Sequence, residues 1–169
     1  MPQALEELYS LLIPVTGDKL MLPRLSVAEV MGYARPLPVR GAPDWLLGLT
    51  TWQGQEIPLV SFEGLCGRKI PERASRTRIV VLYSIGAQMD PPVFGLMTQG
   101  YPYLVRVNAS VLGTEDEDSY SDDIPVLCRV RMANERPVIP DLEAIEEKVL
   151  AVIPQRRASG ADDARNLNS

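Results

Sequence analysis

The stretch at residues 43–63, PDWLLGLTTWQGQEIPLVSFE, leaves this chain few conformational options. Two apolar runs meet at a short polar turn that contains Gly54. Leu49, Thr50, Thr51 and Trp52 suit a pleated, half-buried surface, and Ile57, Leu59, Val60 and Phe62 resume that pattern after the turn. Glycine reaches the positive φ that a short hairpin loop demands, so the spacing predicts a β-hairpin turning at residues 53–55. Pro58 has no N–H to give to a ladder, which predicts a free edge or a bulge at its position.

Similar short runs, bounded by Pro and Gly, occupy most of the chain. Residues 1–7 read as a frayed helical turn. Residues 9–13 form a strand halted by Pro14, the turn at 16–18 follows, and residues 19–22 return. Residues 25–31 (LSVAEVM) fit a strand at Leu25 and Val27 and a helical turn at Val27, Val30 and Met31; the short length and repeated valine favour a strand. Residues 34–43 hold three prolines and read as an extended linker. Residues 43–47 read as a single helical or 3-10 turn into Gly48. Residues 65–76 are basic, contain Gly67 and Pro71, and read as a solvated surface connection.

Residues 78–84 (RIVVLYS) are the clearest strand, apolar enough to be buried on both faces. Residues 93–97 return from it, and 103–107 alternate as a half-buried strand should. The acidic stretch 114–123 (TEDEDSYSDD) reads as a solvated insertion, because it lacks the ligand spacing of a calcium loop. A second hairpin is expected from 125–132 and 137–139. Asp141 then caps a helix over 142–150, whose Leu142, Ile145 and Val149 form one docking stripe. The polar residues 155–169 read as a disordered tail.

The second hairpin echoes the first. Laying residues 48–63 over 128–143 without a gap places Trp52 on Met132, Gly54 on Asn134, Leu59 on Ile139, Phe62 on Leu142 and Glu63 on Glu143. Gly and Asn are the residues that most readily accept left-handed backbone angles. Each hairpin is preceded by a strand–turn–strand unit, 9–22 and 79–97, and by a further strand, SVAEV or LVRV. The chain therefore reads as one domain over 1–154, built from two repeats at about 8–64 and 77–143, with a groove between them suited to binding.

Composition narrows the chemistry. The chain has no histidine, which excludes a phospho-accepting histidine, a Ser–His–Asp constellation and any histidine-dependent metal site. A net charge of −5 disfavours nucleic acid and anionic membrane. No apolar run approaches the ~20 residues of a membrane span, and the acidic first ten residues are unlike a signal peptide; both favour the cytoplasm. Cys66 and Cys128 lack paired spacing and read as thiols. Cys66 beside Arg68 and Lys69, and the pair Asp122 and Asp123, are the only enzyme candidates, and a buried strand-end cysteine is the simpler reading of the first.

The order of these motifs resembles the CheW-like domain of bacterial chemosensory adaptors. The family's V-x-E-V/I appears as Val27-Ala28-Glu29-Val30. Its G-V-x-N-L-R-G-x-x-x-P-V-x-D-L corresponds to the run from Gly48 to Phe62, and its G-L-x-V-D-x-V to the run from Gly95 to Tyr101. The resemblance covers about residues 8–150. It implies a mainly β fold of two small Src-homology-3-type barrels packed together, with a short C-terminal helix and no catalysis, cofactor or metal. It also implies partners: the cytoplasmic tip of a methyl-accepting chemoreceptor, and the regulatory domain of a CheA-like histidine kinase, with recruitment to membrane-bound receptor arrays. The positions carried over as partner-facing are Val27, Glu29, Val30, Trp52, Gln53, Gly54 and Pro58.

Three family charges are absent: Gln53 replaces an arginine, Ser61 an aspartate, and the aspartate of the later motif falls at Gln99 or Gly100. A neutral amide cannot make the bidentate charged bonds of a guanidinium. Divergence and length of this order resemble the pilus-associated adaptors of the ChpC type. The alternative reading is a small β-barrel that binds another protein or a small ligand outside chemotaxis.

Overall fold

The computed structural model describes residues 8–86, 88–107, 113–115, 120, 123–132 and 134–153. The expected N-terminal turn, most of the acidic stretch and the tail at 155–169 lie outside them. The fold is mainly β, as expected, with two sheets and two helices.

The strands in chain order are β1 (Leu8–Val15), β2 (Asp18–Pro23), β3 (Val27–Gly32), β4 (Leu46–Trp52) and β5 (Gln55–Ser61), followed by a one-turn helix α1 (Phe62–Leu65). Then come β6 (Arg78–Tyr83), β7 (Val93–Thr98), β8 (Tyr103–Val107), β9 (Gly113–Glu115), β10 (Val126–Arg131), β11 (Val138–Pro140) and helix α2 (Leu142–Val152). Pro14 does not halt β1, which continues to Val15. The residues around Leu25 split, with a 3-10 turn at Arg24–Ser26 and strand from Val27. The linker at 34–43 touches the outer side of β4 through a two-way bridge, Leu37 N–H to Leu49 O and Leu49 N–H to Leu37 O, each 2.8 Å. Gly48 permits that approach: its φ is 141°, and a Cβ there would lie 2.2 Å from the Leu37 carbonyl oxygen.

One sheet runs β8-β1-β2-β11-β10-β9 and the other β3-β6-β7-β5-β4. Equating β1 with β6, β2 with β7, β3 with β8, β4 with β10 and β5 with β11 makes the first five positions of the two sheets correspond. Strand directions agree as well, including the parallel pairs β5–β7 and β11–β2. The hairpins share even their irregularity: Leu46 pairs Val60 and Gly48 pairs Leu59 across a bulge, as Val126 pairs Pro140 and Cys128 pairs Ile139. The sheets, however, do not follow the boundaries 8–64 and 77–143. The first hairpin of each repeat joins the sheet made by the remainder of the other repeat. Local patterning cannot encode this exchange, because both sheets offer a hairpin equivalent edges.

Packing follows from the exchange. A central core joins the sheets, with Ile13, Leu20 and Leu22 on one side, Val60, Val80, Phe94 and Leu96 on the other, and Phe62, Leu142, Ile145 and Val149 from the helices. Two smaller clusters lie apart from it, one around Ile57, Leu59, Ile79 and Met97, the other around Leu12, Met21, Val107 and Val130. Each large aliphatic or aromatic side chain buried this way contributes roughly 1.5–3 kcal/mol. As expected for a strand buried on both faces, β6 is fully covered from Ile79 to Leu82.

Both helices begin alike. Ser61 Oγ accepts the Gly64 N–H at 3.2 Å, and Asp141 Oδ1 accepts the Ala144 N–H at 3.1 Å. Each cap satisfies one orphan amide of a helix start. Each helix also carries a buried carboxylate that reaches back to the first turn of its own repeat. Glu63, fully buried, accepts the Thr16 N–H at 2.9 Å, and Glu146 accepts the N–H groups of Ile85 and Gly86, the latter at 2.9 Å. Each helix follows a strand of one sheet and holds the turn of a hairpin in the other. Glu143, the overlay partner of Glu63, is instead exposed.

Candidate interaction site

All seven positions singled out in the sequence lie on β3 or on the hairpin of β4 and β5, three of them at or beside its turn and Pro58 further along β5. In the five-stranded sheet, β3 and β4 are the two opposite edges. The sheet curls far enough for those edges to meet: Trp52 Nε1 donates a 2.6 Å hydrogen bond to Glu29 Oε2. A register shift between Val27 and Glu29 accommodates this, since a bulge turns a strand and re-aims its side chains. Val27 and Val30 are half-buried against the central core, whereas Trp52 packs on the smaller cluster around Ile57. Glu29 itself is exposed.

The hairpin loop is tighter than 53–55. Trp52 pairs with Gln55, so Gln53 and Gly54 alone form the turn, at φ 47° and 74°. Two consecutive positive values match the twist of the flanking strands. Gln53 is the only non-glycine residue with positive φ among those described, a feature its identity did not announce. Both turn residues are exposed, and the space around Gly54 is open.

Pro58 departs from the expectation that it faces a partner. It is buried on an interior strand, opposite Leu49. The parallel ladder with β7 begins only at Leu59, so the missing N–H falls on a stretch of β5 that β7 does not pair. Its position reconciles a proline with an interior strand and leaves it no outward face. The structure thus brings together Glu29, Trp52, Gln53 and Gly54, turns Val27 and Val30 toward the central core, and leaves Pro58 out.

The surroundings offer little for bond-making chemistry. Burial pushes the Cys66 thiol up, and the neighbouring Arg68 only partly opposes it; an activated thiolate needs the reverse. Arg68 is itself engaged, donating to the Thr16 carbonyl at 2.9 Å. Asp122 lies outside the described residues. No group of ligating side chains suited to a metal ion occurs among the described residues, and no helix among them is long and apolar enough to cross a membrane.

Two polar contacts join distant segments. Arg129 forks onto Asp18 with N–O distances of 3.2 and 2.9 Å, and that carboxylate raises the guanidinium's affinity for its proton. Lys19 and Tyr103 both donate to Glu135, the tyrosine at 2.6 Å, which lowers the carboxyl's pKa, Lys19 having the larger effect. Charges separated by more than a hundred residues leave no periodic signal in a single sequence.

Comparison with known proteins bears on the whole of this architecture. The family model of the CheW-like domain matches residues 10–149. No curated protein sequence matches the chain. Among solved structures, the scaffolding protein TtCheW from Thermoanaerobacter tengcongensis is similar, with a TM-score of 0.69 at 13% identity, over 84% of this chain and 89% of that one. At that identity the likeness speaks for the fold.

Proposed function

Because the chain belongs to the CheW-like domain family, we propose that it is a non-catalytic adaptor coupling chemoreceptor signalling tips to a histidine kinase. The observation that carries this reading is the junction at which Trp52 and Glu29 tie the two sheet edges together beneath the exposed Gln53-Gly54 turn. A rigid rim of this kind presents an indole, a carboxylate and a turn backbone at little ordering cost, which favours a modest and exchangeable interface. The solved relative is described as a scaffolding protein, and a scaffold role for this chain agrees with that.

Val27 and Val30 anchor β3 on the central core, while Glu29, Trp52, Gln53 and Gly54 meet the partner. Gln53 makes the contact through a neutral amide, so binding here depends less on salt than an arginine contact would. The missing family charges suit an adaptor of a pilus-associated pathway of the ChpC type, working in the cytoplasm at membrane-bound arrays.

Titration of the full chain with a soluble chemoreceptor tip fragment and with the kinase regulatory domain tests the reading. Binding to at least one, weakened by Trp52→Ala, is expected. Absence of binding to both at roughly 100 µM, well above the micromolar range, would refute it.

A further inference from the structure

At the far end of β3 from the bulge, three parts of the five-stranded sheet finish or begin together. β3 ends at Gly32, β6 starts at Arg78 in register with it, and β7 ends at Thr98, also opposite Arg78. Between them opens a concavity of about 570 Å³ lined by Tyr33, Arg73, Ser75, Thr77, Arg78 and Tyr101, together with Gly32 and Ala74. This volume falls within the usual range of ligand sites. None of the lining residues is acidic, although the chain as a whole carries a charge of −5.

The two arginines are held in place. Arg73 lies over the Tyr33 ring at 5.3 Å from its centroid, and Arg78 over Tyr101 at 4.3 Å. A reciprocal turn fixes the wall between them: the Ala74 N–H donates to Thr77 Oγ1 at 2.9 Å and the Thr77 N–H to Ala74 O at 3.1 Å. Arg78 Nη1 donates to the carbonyls of Ser75 and Thr77 at 2.9 and 2.8 Å. The other guanidinium N–H groups of Arg78, and all those of the Arg73 guanidinium, make no hydrogen bond among the described residues. Stacking consumes the face of a guanidinium and leaves its in-plane N–H edge, the edge that binds an oxyanion in two-point fashion.

We infer that this concavity is a docking site for an acidic peptide segment of a partner protein, with two carboxylates received by Arg73 and Arg78. A nucleic acid fits less well: guanidiniums already occupy the ring faces on which bases would stack, and the overall negative charge repels a polyanion. A chain presenting a few carboxylates meets only the local positive field. The site stands apart from the Trp52–Glu29 rim, and its test requires neither receptor nor kinase.

Isothermal titration of the full chain with a blocked peptide of alternating Glu and Gly is the test, run beside inorganic phosphate. Arg73→Gln removes a guanidinium without touching the turn, and Arg24→Gln removes the same charge from the opposite end of β3. Loss of one charge-assisted pair predicts roughly tenfold weaker peptide binding for Arg73→Gln, an unchanged melting temperature, unchanged binding for Arg24→Gln, and weakening with salt. Equal loss in both variants would reduce the site to diffuse charge and overturn the proposal. So would phosphate binding as tight as the peptide's, or no peptide binding at roughly 1 mM.

Discussion

Replacing Glu146 with alanine should destabilise the fold by about 2–4 kcal/mol. Glu146 is 3% exposed, and its carboxylate receives two backbone N–H groups, from Ile85 and Gly86. A hydrogen bond to a charged acceptor contributes about 1.5–3 kcal/mol. Two of them would exceed the prediction, but removing the side chain also removes the desolvation penalty of a buried charge. Ile85 is 65% exposed, so water can partly replace what its amide loses. Glu146→Gln keeps the shape but leaves one carbonyl oxygen for two donors and sets its own NH₂ against the other amide; about 1–3 kcal/mol is expected. For a domain of this size the alanine variant should melt about 4–16 °C lower. Urea unfolding followed by tryptophan fluorescence gives the energies, and amide exchange locates them: Ile85 and Gly86 should exchange faster, with the remainder of β6 and β7 changed only by the global loss. An alanine variant within about 0.5 kcal/mol of the parent, or unchanged exchange at both amides, would refute the clasp.

Gly48→Ala should be severely destabilising, by about 3 kcal/mol or more, since the new Cβ would meet the Leu37 carbonyl at 2.2 Å; chemical denaturation reads this directly. Gln53→Gly should raise stability by up to about 1 kcal/mol by relieving an L-residue at φ 47°, whereas Gly54→Val should lower it, and paired melts separate the two. Trp52→Phe should remove the bond to Glu29 for about 0.5–1.5 kcal/mol while keeping the apolar packing. Acidification should weaken the Glu135 cluster. That carboxyl's pKa is lowered from its ordinary 4.5, so its contribution is present above that value and is lost as pH falls through the lowered one. Glu135→Gln should flatten the acid limb of a stability–pH curve, by less than about 1 kcal/mol because the pair is partly exposed.

Much of the fold is readable in local chemistry. Gly54 between two apolar runs announces its turn, Asp141 announces the start of α2, and the overlay of residues 48–63 on 128–143 coincides with the shared register and bulge of the two hairpins. What escapes is non-local. The exchange of first hairpins leaves every strand's own pattern unchanged, so no window of sequence contains it. α1 is a single turn whose Ser61 cap is itself the last residue of β5, and it reads as more strand. Glu63 and Glu146 are hidden for the opposite reason: charged residues are expected in water, and only the approaching backbone amides justify their burial. Within the candidate site, nearness of Trp52 to Gln53 is trivial, but the reach of Trp52 to Glu29 depends on the curl of a five-stranded sheet.

The exchanged hairpins set a timetable for biosynthesis. β1 and β2 are translated first, yet the strands that flank them, β8 and β11, come from Tyr103–Val107 and Val138–Pro140. At a synthesis rate of about 5–20 residues per second, the opening hairpin waits roughly 6–25 s for its neighbours. During that interval Leu12 and Met21, both buried in the finished fold, lack the full cluster that Val107 and Val130 complete. The five-stranded sheet needs only residues up to Thr98 and is complete earlier. Nascent chains stalled between these two points should therefore carry a protease-resistant five-stranded sheet and a first hairpin whose Leu12 and Met21 face is open to a chaperone.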